Sequence, residues 1–104
     1  MQVRITTDHG RTVVKPSGRI DSISAHALRQ SLLDAIAAHG GPYELDMSDV
    51  PYVTSAGLQA LVIAANAAAA RGHKLTLTHV NNTVMALLNL VDFSSILDVQ
   101  RHTE

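Results

Sequence analysis

The sequence predicts a single α/β domain in which an N-terminal β-hairpin precedes a mostly parallel sheet of four to five strands. Short segments in which apolar and polar residues alternate are followed, in turn along the chain, by longer segments whose apolar residues recur at helical spacing. Strands that alternate with helices favour parallel pairing through right-handed crossovers. A length of 104 residues, 46% of them hydrophobic, is enough for one core. We therefore expect one domain over residues 1–104, in the order ββαβαβα(β).

The predicted hairpin occupies the N-terminus. Val3 and Ile5 alternate with polar residues, and a turn at residues 8–10 leads into a second strand over residues 12–15. Pro16 has no N–H to donate, so we expect it to end that strand.

The first helix is predicted from its cap and its apolar spacing. Asp21, Ser22 or Ser24 can cap a helix, and Gly-Gly-Pro at 40–42 is a typical stop. Its apolar positions are Leu28, Leu32, Leu33 and Ile36. A short third strand over residues 43–47 follows.

The second half of the chain repeats this alternation. A second helix is predicted from about Ala56 to Arg71, with Gly72 just past its end, followed by a fourth strand over residues 74–78. Residues 81–83 can cap a third helix that carries Val84, Leu87, Leu88 and Val91. Residues 96–99 are predicted to add an edge strand.

Composition excludes several classes of function. The chain has no cysteine, which excludes disulfides and thiolate chemistry. A net charge of −1 with dispersed basic residues argues against binding to nucleic acid. The most apolar stretch, residues 58–70, is shorter than the roughly 20 residues that span a bilayer. The N-terminus lacks the pattern of a signal peptide, so we expect a cytoplasmic protein without membrane insertion.

Catalysis is not predicted either. A serine between a strand and a helix suggests the nucleophile elbow G-x-S-x-G, but Val53 stands where that motif needs its first glycine. The six histidines are dispersed and show no paired ligand spacing on a helix, and His73 and His79 are expected to be solvated ends of the fourth strand. We therefore predict no enzyme activity, no metal and no cofactor.

Candidate functional residues follow two strands whose carboxyl ends should share one edge of the sheet. They are residues 18–21 after the second strand and residues 54–57 after the third. Ser55 is expected at the N-cap or in the first turn of the second helix, where free N–H groups favour a negative charge. Asp21 is expected nearby, with Asp46 just beneath. Simple helix capping is the alternative interpretation of Ser55 and of Asp21.

Three motifs carry a resemblance to a known family. Gly-Arg-Ile-Asp at 18–21, Leu-Asp-Met-Ser-Asp-Val at 45–50 and Thr-Ser-Ala-Gly-Leu at 54–58 occur in this order over nearly the whole chain. The chain thereby resembles the STAS domain family of bacterial anti-sigma factor antagonists. Gly57, which has no side chain, is expected to let a partner backbone approach.

The resemblance implies a function in partner switching. An unphosphorylated antagonist of this family binds an anti-sigma factor, which is also a serine kinase of the histidine-kinase-like ATPase type, and thereby releases a sigma factor. The kinase then phosphorylates one serine, which corresponds to Ser55, and a PP2C-type phosphatase reverses the step. Residues implied to lie near the phosphorylation site or to contact the partner are Asp21, Asp46, Thr54, Ala56, Gly57 and Leu58.

Two features depart from the family pattern and leave an alternative open. Many antagonists have Asp before the serine and Ser or Thr after it, whereas this chain has Thr54 and Ala56. Thr54 is therefore a second candidate acceptor. STAS domains also serve as interaction subunits of stress-signalling scaffolds or of transporter ATPases, which would require no phosphorylation.

Overall fold

The computed structural model of the chain describes residues 2–89 and 97–101, with side chains over residues 2–88. Its elements occur in the predicted order ββαβαβα(β). They are β1 (Gln2–Asp8), β2 (Arg11–Ser17), α1 (Ser22–Ala38), β3 (Tyr43–Asp46), α2 (Ser55–Ala70), β4 (Leu75–Val80), α3 (Asn82–Asn89) and β5 (Leu97–Arg101).

The five strands form one sheet in the order β1-β2-β3-β4-β5. The β1–β2 hairpin is antiparallel, and every other neighbouring pair is parallel. Because each crossover moves to the next strand in the same direction, the right-handed rule puts all the helices on one face of the sheet. The predicted fold class is therefore confirmed.

The two faces of the sheet differ in chemistry. In β3, Tyr43 and Leu45 are buried, while Glu44 and Asp46 alternate with them and remain half-buried. The face that carries Tyr43 and Leu45 packs against the helices in one core. That core includes Ile20, Leu28, Leu32, Leu45, Leu61, Leu75, Leu77 and Val84. The opposite face is polar, and on it Glu44 accepts hydrogen bonds from Arg11 at 2.7 Å and from Thr78 at 2.8 Å.

Some local predictions need correction. Pro16 does not end β2, because the strand continues to Ser17 and Pro16 lies opposite Val3 in the hairpin. The ladder between β2 and β3 runs from Thr12 to Val14, and parallel pairing resumes with the bridge between Ser17 and Asp49. Pro16, which has no N–H to donate, lies in the gap between them.

Two further expectations also differ from the structure. His73 is not a solvated end, since it is half-buried and its ring meets the Tyr43 ring edge-on at 5.7 Å. His79 lies within β4, not beyond it, at a register shift of the ladder to β5. Of the predicted apolar positions, Val91 and Ile96 lie outside the described residues.

Candidate functional site

The loop before α1 and the loop before α2 are joined side by side at one rim of the sheet. Ile20 and Val53 form a parallel bridge. The Ile20 N–H donates to the Tyr52 carbonyl at 3.0 Å, and the Thr54 N–H donates to the Ile20 carbonyl at 2.8 Å. These bonds place the residues that begin both helices next to each other, so residues 18–21 and 54–57 are neighbours as predicted.

Asp21 is the N-cap of α1. Its Oδ1 accepts hydrogen bonds from the N–H groups of Ser24 at 2.9 Å and Ile23 at 3.0 Å. The Ser24 hydroxyl in turn accepts from the Asp21 N–H at 2.9 Å, which completes a capping box. The hydrogen bonds from Ser24, first of all, hold the pKa of Asp21 below its usual value. The geometry therefore supports helix capping, which was the alternative interpretation of Asp21.

Thr54, not Ser55, is the N-cap of α2. The Thr54 hydroxyl donates to the Ile20 carbonyl at 3.1 Å and accepts a long 3.4 Å hydrogen bond from the Gly57 N–H. It is half-buried between the two loops. Both the donor and an acceptor site of this hydroxyl are therefore engaged inside the fold.

Ser55 is the first residue of α2 and is exposed. Among the described residues, no hydrogen bond of its hydroxyl to another group is recorded. Ser22 occupies the equivalent exposed position at the start of α1, directly after Asp21. The two helices therefore present a serine at the same position, one after a neutral cap and one after a carboxylate.

Gly57 has a different role from the one expected. It is buried, and a Cβ built on it would lie 2.6 Å from Ile20 Cγ2 and 2.6 Å from Val53 Cγ1. Its missing side chain thus makes room for the bridge between the two loops, not for a partner backbone. The neighbouring Ala56 and Leu58 are half-buried and pack against the core.

Asp46 lies on the polar face of the sheet. Its Oδ1 accepts a hydrogen bond from the Ser48 N–H at 3.0 Å and lies 3.3 Å from His79 Nδ1. Partial burial acts to raise the pKa of Asp46, but the hydrogen bonds from Ser48, with the charges of His79 and Lys15, outweigh it and lower the pKa. Within the described part of the chain, its recorded contacts are with this group of residues and not with Ser55.

Asp46 also belongs to a group with the chemistry of metal ligands. One ligand atom from each of Glu44, Asp46 and His79 can be chosen so that all lie within 4.8 Å of one another. Both oxygens of Glu44 already accept hydrogen bonds, from Arg11 and Thr78. These carboxylates therefore have partners within the protein, and the prediction that no metal is bound remains a prediction.

Two contacts at the rim were not predicted from the sequence patterns. The Arg19 guanidinium lies 5.9 Å from the centre of the Tyr52 ring, a cation–π distance. Asn81, which caps α3 by accepting from the Val84 N–H at 2.8 Å, also donates to the carbonyls of Val50 and Pro51. Asn81 thereby holds the loop that leads to Ser55, and only the tertiary structure reveals this because the contact joins residues about thirty positions apart.

The fold and the rim together define a one-sided α/β domain that presents the N-termini of two neighbouring helices. A family profile described as "Mlab, STAS domain" matches residues 3–98. The chain therefore belongs to the STAS domain family. No curated protein matches the chain in sequence.

Solved structures of similar fold include several anti-sigma factor antagonists. One from Mycobacterium paratuberculosis is 20% identical, with a TM-score of 0.84 over 95% of this chain and 84% of that chain. SpoIIAA in its unphosphorylated form is 12% identical, with a TM-score of 0.77 over 94% and 87%. A sulfate transporter family protein from Wolinella succinogenes is 24% identical, with a TM-score of 0.77 over 93% and 81%. At these identities the likeness concerns the fold.

The helices in the described part of the chain are α1, α2 and α3. None of the helices there combines the length and the apolar character that crossing a bilayer requires.

Proposed function

We propose that this STAS domain is a cytoplasmic anti-sigma factor antagonist that is switched off by phosphorylation of Ser55. Unphosphorylated, it binds an anti-sigma factor that is also a serine kinase of the histidine-kinase-like ATPase type, and a sigma factor is released. A PP2C-type phosphatase restores the binding form. The proposal is supported by the family and by the similarity to antagonist structures, which include SpoIIAA of Bacillus in a phosphorylated form. The protein acts by binding and not by catalysis.

The observation that carries the proposal is the contrast between two adjacent hydroxyls. Ser55 is exposed, whereas the Thr54 hydroxyl caps α2 and bonds to the Ile20 carbonyl. A kinase that modified Thr54 would have to break both bonds and expose a half-buried side chain. Ser55 is therefore the proposed acceptor and Thr54 the alternative.

The fold can accept a phosphate on Ser55. The first turn of α2 contains no acidic side chain, and its cap is the neutral Thr54. The free N–H groups and the positive end of the helix dipole favour an anion at this position. Phosphorylation is thus expected to act on the partner and to leave the domain folded.

The charge of a phosphate on Ser55 is large enough to release a bound partner. A phosphate adds roughly −1.5 to −2 charges, and an unpaired charge in an interface costs about 3–5 kcal/mol. At about 1.4 kcal/mol per tenfold change, affinity falls by about a hundredfold or more.

We assign Asp21 an orienting role towards the Ser55 hydroxyl or the kinase, because a carboxylate repels a phosphate. Asp46, Ala56 and Leu58 remain proposed neighbours of the partner.

The test uses Ser55→Ala with Ser22→Ala as the matched control, since each removes an exposed hydroxyl from the first residue of a helix. Incubation with ATP and a kinase of the anti-sigma factor class should add one phosphate to the wild type and to Ser22→Ala, and none to Ser55→Ala. Titration should show that Ser55→Ala stays bound to the kinase while the phosphorylated wild type is released. A phosphate found by mass spectrometry only on Thr54, or equal binding of both forms, would contradict the proposal.

A second candidate function is a constitutive interaction subunit of a transporter ATPase or of a stress-signalling scaffold. The structural similarity to a sulfate transporter family protein favours the transporter version. In that function the same helices bind a partner without phosphorylation. Copurification with a transporter ATPase, at an affinity that Ser55→Ala and Ser55→Asp leave unchanged, would select this candidate.

A further inference from the structure

A shallow groove lies between α1 and α2 on the outer side of the helix layer. Each helix contributes a stripe at helical spacing: Ser22, Ala25, His26 and Arg29 from α1, and Ala56, Gln59, Ala60 and Ile63 from α2. The groove has a volume of about 160 Å³. At 1.5 Å per residue, the stripe from Ser22 to Arg29 is about 10 Å long, or about two helical turns.

The groove combines a small, apolar floor with an exposed apolar wall. Ala25 and Ala60 are 5% and 4% exposed and form the floor, where the short side chains leave the space. Ile63 forms the wall and is 40% exposed. Among the described residues, few other large apolar side chains are exposed. An aliphatic side chain from outside can fill this space and cover Ile63.

The guanidinium of Arg29 gives the groove a positive charge. Arg29 and His26 line it, and no acidic residue does. Arg29 is also poorly satisfied within the described part of the protein, because its Nε is buried without a hydrogen-bond partner. Its recorded side-chain contact is a long one, 3.4 Å from Nη2 to His26 Nδ1. The Nη groups of this guanidinium can form charge-assisted hydrogen bonds with a carboxylate that is brought to the groove.

We propose that this groove docks a helical segment of a partner protein that presents aliphatic side chains to the alanine floor and a carboxylate to Arg29. This is the helix-in-groove mode of recognition, with charge complementarity setting the direction of the segment. The inference goes beyond the proposed switch, because it concerns the unmodified protein and holds whether or not Ser55 is ever phosphorylated.

One end of the groove lies at the rim, next to Ser55. Ser22 and Ala56 line one end of it, and Ser55 directly precedes Ala56 in the same first turn. A docked segment therefore ends beside Ser55.

The test uses two synthetic alanine-based helical peptides. Both carry two leucines one turn apart, followed one turn later by glutamate in the first peptide and by glutamine in the second. NMR titration of the ¹⁵N-labelled chain, up to about 1 mM peptide, detects even weak docking. We expect the glutamate peptide to shift amide signals of residues 22–29 and 56–63, and to bind about tenfold more tightly than the glutamine peptide.

Variants test the charge contact at Arg29 and the apolar contact at Ile63 separately. Arg29→Gln should remove the preference for glutamate, and Ile63→Ser should weaken both peptides alike. Arg4→Gln, which removes an equal charge from the exposed strand β1, is the matched control and should change neither. The inference is wrong if both peptides bind the wild type equally, if the shifts map to the polar face of the sheet, or if neither peptide binds. Amide spectra of each variant show whether the fold is intact.

Discussion

At the start of α2, successive residues have separate functions. The Thr54 hydroxyl caps the helix, Ser55 is exposed, and Gly57 packs against Ile20 and Val53, which form the bridge between the two loops. The glycine and the serine are thus linked: the close approach that Gly57 permits brings the two loops together, and the joined loops hold Ser55 at the rim. A change at Gly57 should therefore affect the site through packing.

Gly57→Ala should destabilise the domain. Alanine favours a helix over glycine by about 1 kcal/mol. A Cβ here, however, would lie 2.6 Å from Ile20 Cγ2 and from Val53 Cγ1, and 3.0 Å from the Ile20 carbonyl oxygen. Overpacking of this kind costs typically about 1–3 kcal/mol, so we expect a net loss of stability. The measurement is the free energy of unfolding in urea.

Gly40→Ala is the control for this prediction. Gly40 is exposed, has no atom within 4 Å of a built Cβ, and does not adopt a positive φ. Its replacement should leave stability unchanged or raise it slightly, because alanine restricts the unfolded chain. If Gly57→Ala were as stable as Gly40→Ala, the proposed packing role of Gly57 would be wrong.

At the scale of elements, the helices differ in how their N-termini are neutralised. α1 begins with the charged Asp21 in a capping box, and α2 begins with the neutral Thr54. Because neither first turn contains a further acidic residue, the caps decide where an added anion is tolerated. This favours Ser55 over Ser22 as an acceptor, although both are exposed.

The cap of α1 should make stability depend on pH. Since the pKa of Asp21 is lowered in the folded state, its carboxylate stabilises the fold above the ordinary pKa of 3.8. This contribution is lost as the pH falls through the lowered folded-state value. Asp21→Asn keeps a good neutral cap and removes only the charge. The difference in unfolding free energy between wild type and Asp21→Asn should be greatest near neutral pH and decrease as the pH falls through the lowered pKa of Asp21.

Urea unfolding at several pH values measures this difference. Asp34→Asn, which removes an exposed carboxylate from the middle of α1, is the control and should shift the midpoint far less. A difference for Asp21→Asn that stayed constant from neutral to strongly acidic pH would contradict the assigned role of the carboxylate.

At the scale of the molecule, one topological rule produces two unlike surfaces. Strands in sequential order with right-handed crossovers place all helices on one face of the sheet. Within the described part of the chain, no helix covers the other face. It is lined by polar groups, among them Glu44, whose carboxylate joins Arg11 of β2 to Thr78 of β4. The polar face thus contributes hydrogen bonds between strands, whereas most of the residues proposed to lie near the partner belong to the rim and α2.

Glu44→Ala should cost more stability than Arg11→Ala. Thr78 is 7% exposed and would lose the acceptor of its hydroxyl, which costs about 1–3 kcal/mol. Arg11 has a side chain 55% exposed, so its loss breaks a surface ion pair worth about 0–1 kcal/mol. The measurement is urea unfolding of both variants. Equal losses would show that the bond from Thr78 contributes nothing.

The sequence by itself determined the order of the elements and the segments that carry the site. Apolar periodicity, caps and glycine or proline stops are local signals, so they predicted α1, α2 and the strands to within a few residues. The same signals could not distinguish Thr54 from Ser55 as the cap, since both residue types cap helices.

Only the tertiary structure decided what surrounds each residue. The burial of Gly57, the bonds from Asn81 to the loop before α2, and the charges that line the groove all depend on contacts between residues far apart in the chain. Pro16 shows the same limit: its missing N–H leaves a gap in the pairing on the β3 side, but β2 continues past it because the hairpin with β1 extends to Ser17. Local patterns carry no information on such neighbours, because packing and not propensity places them.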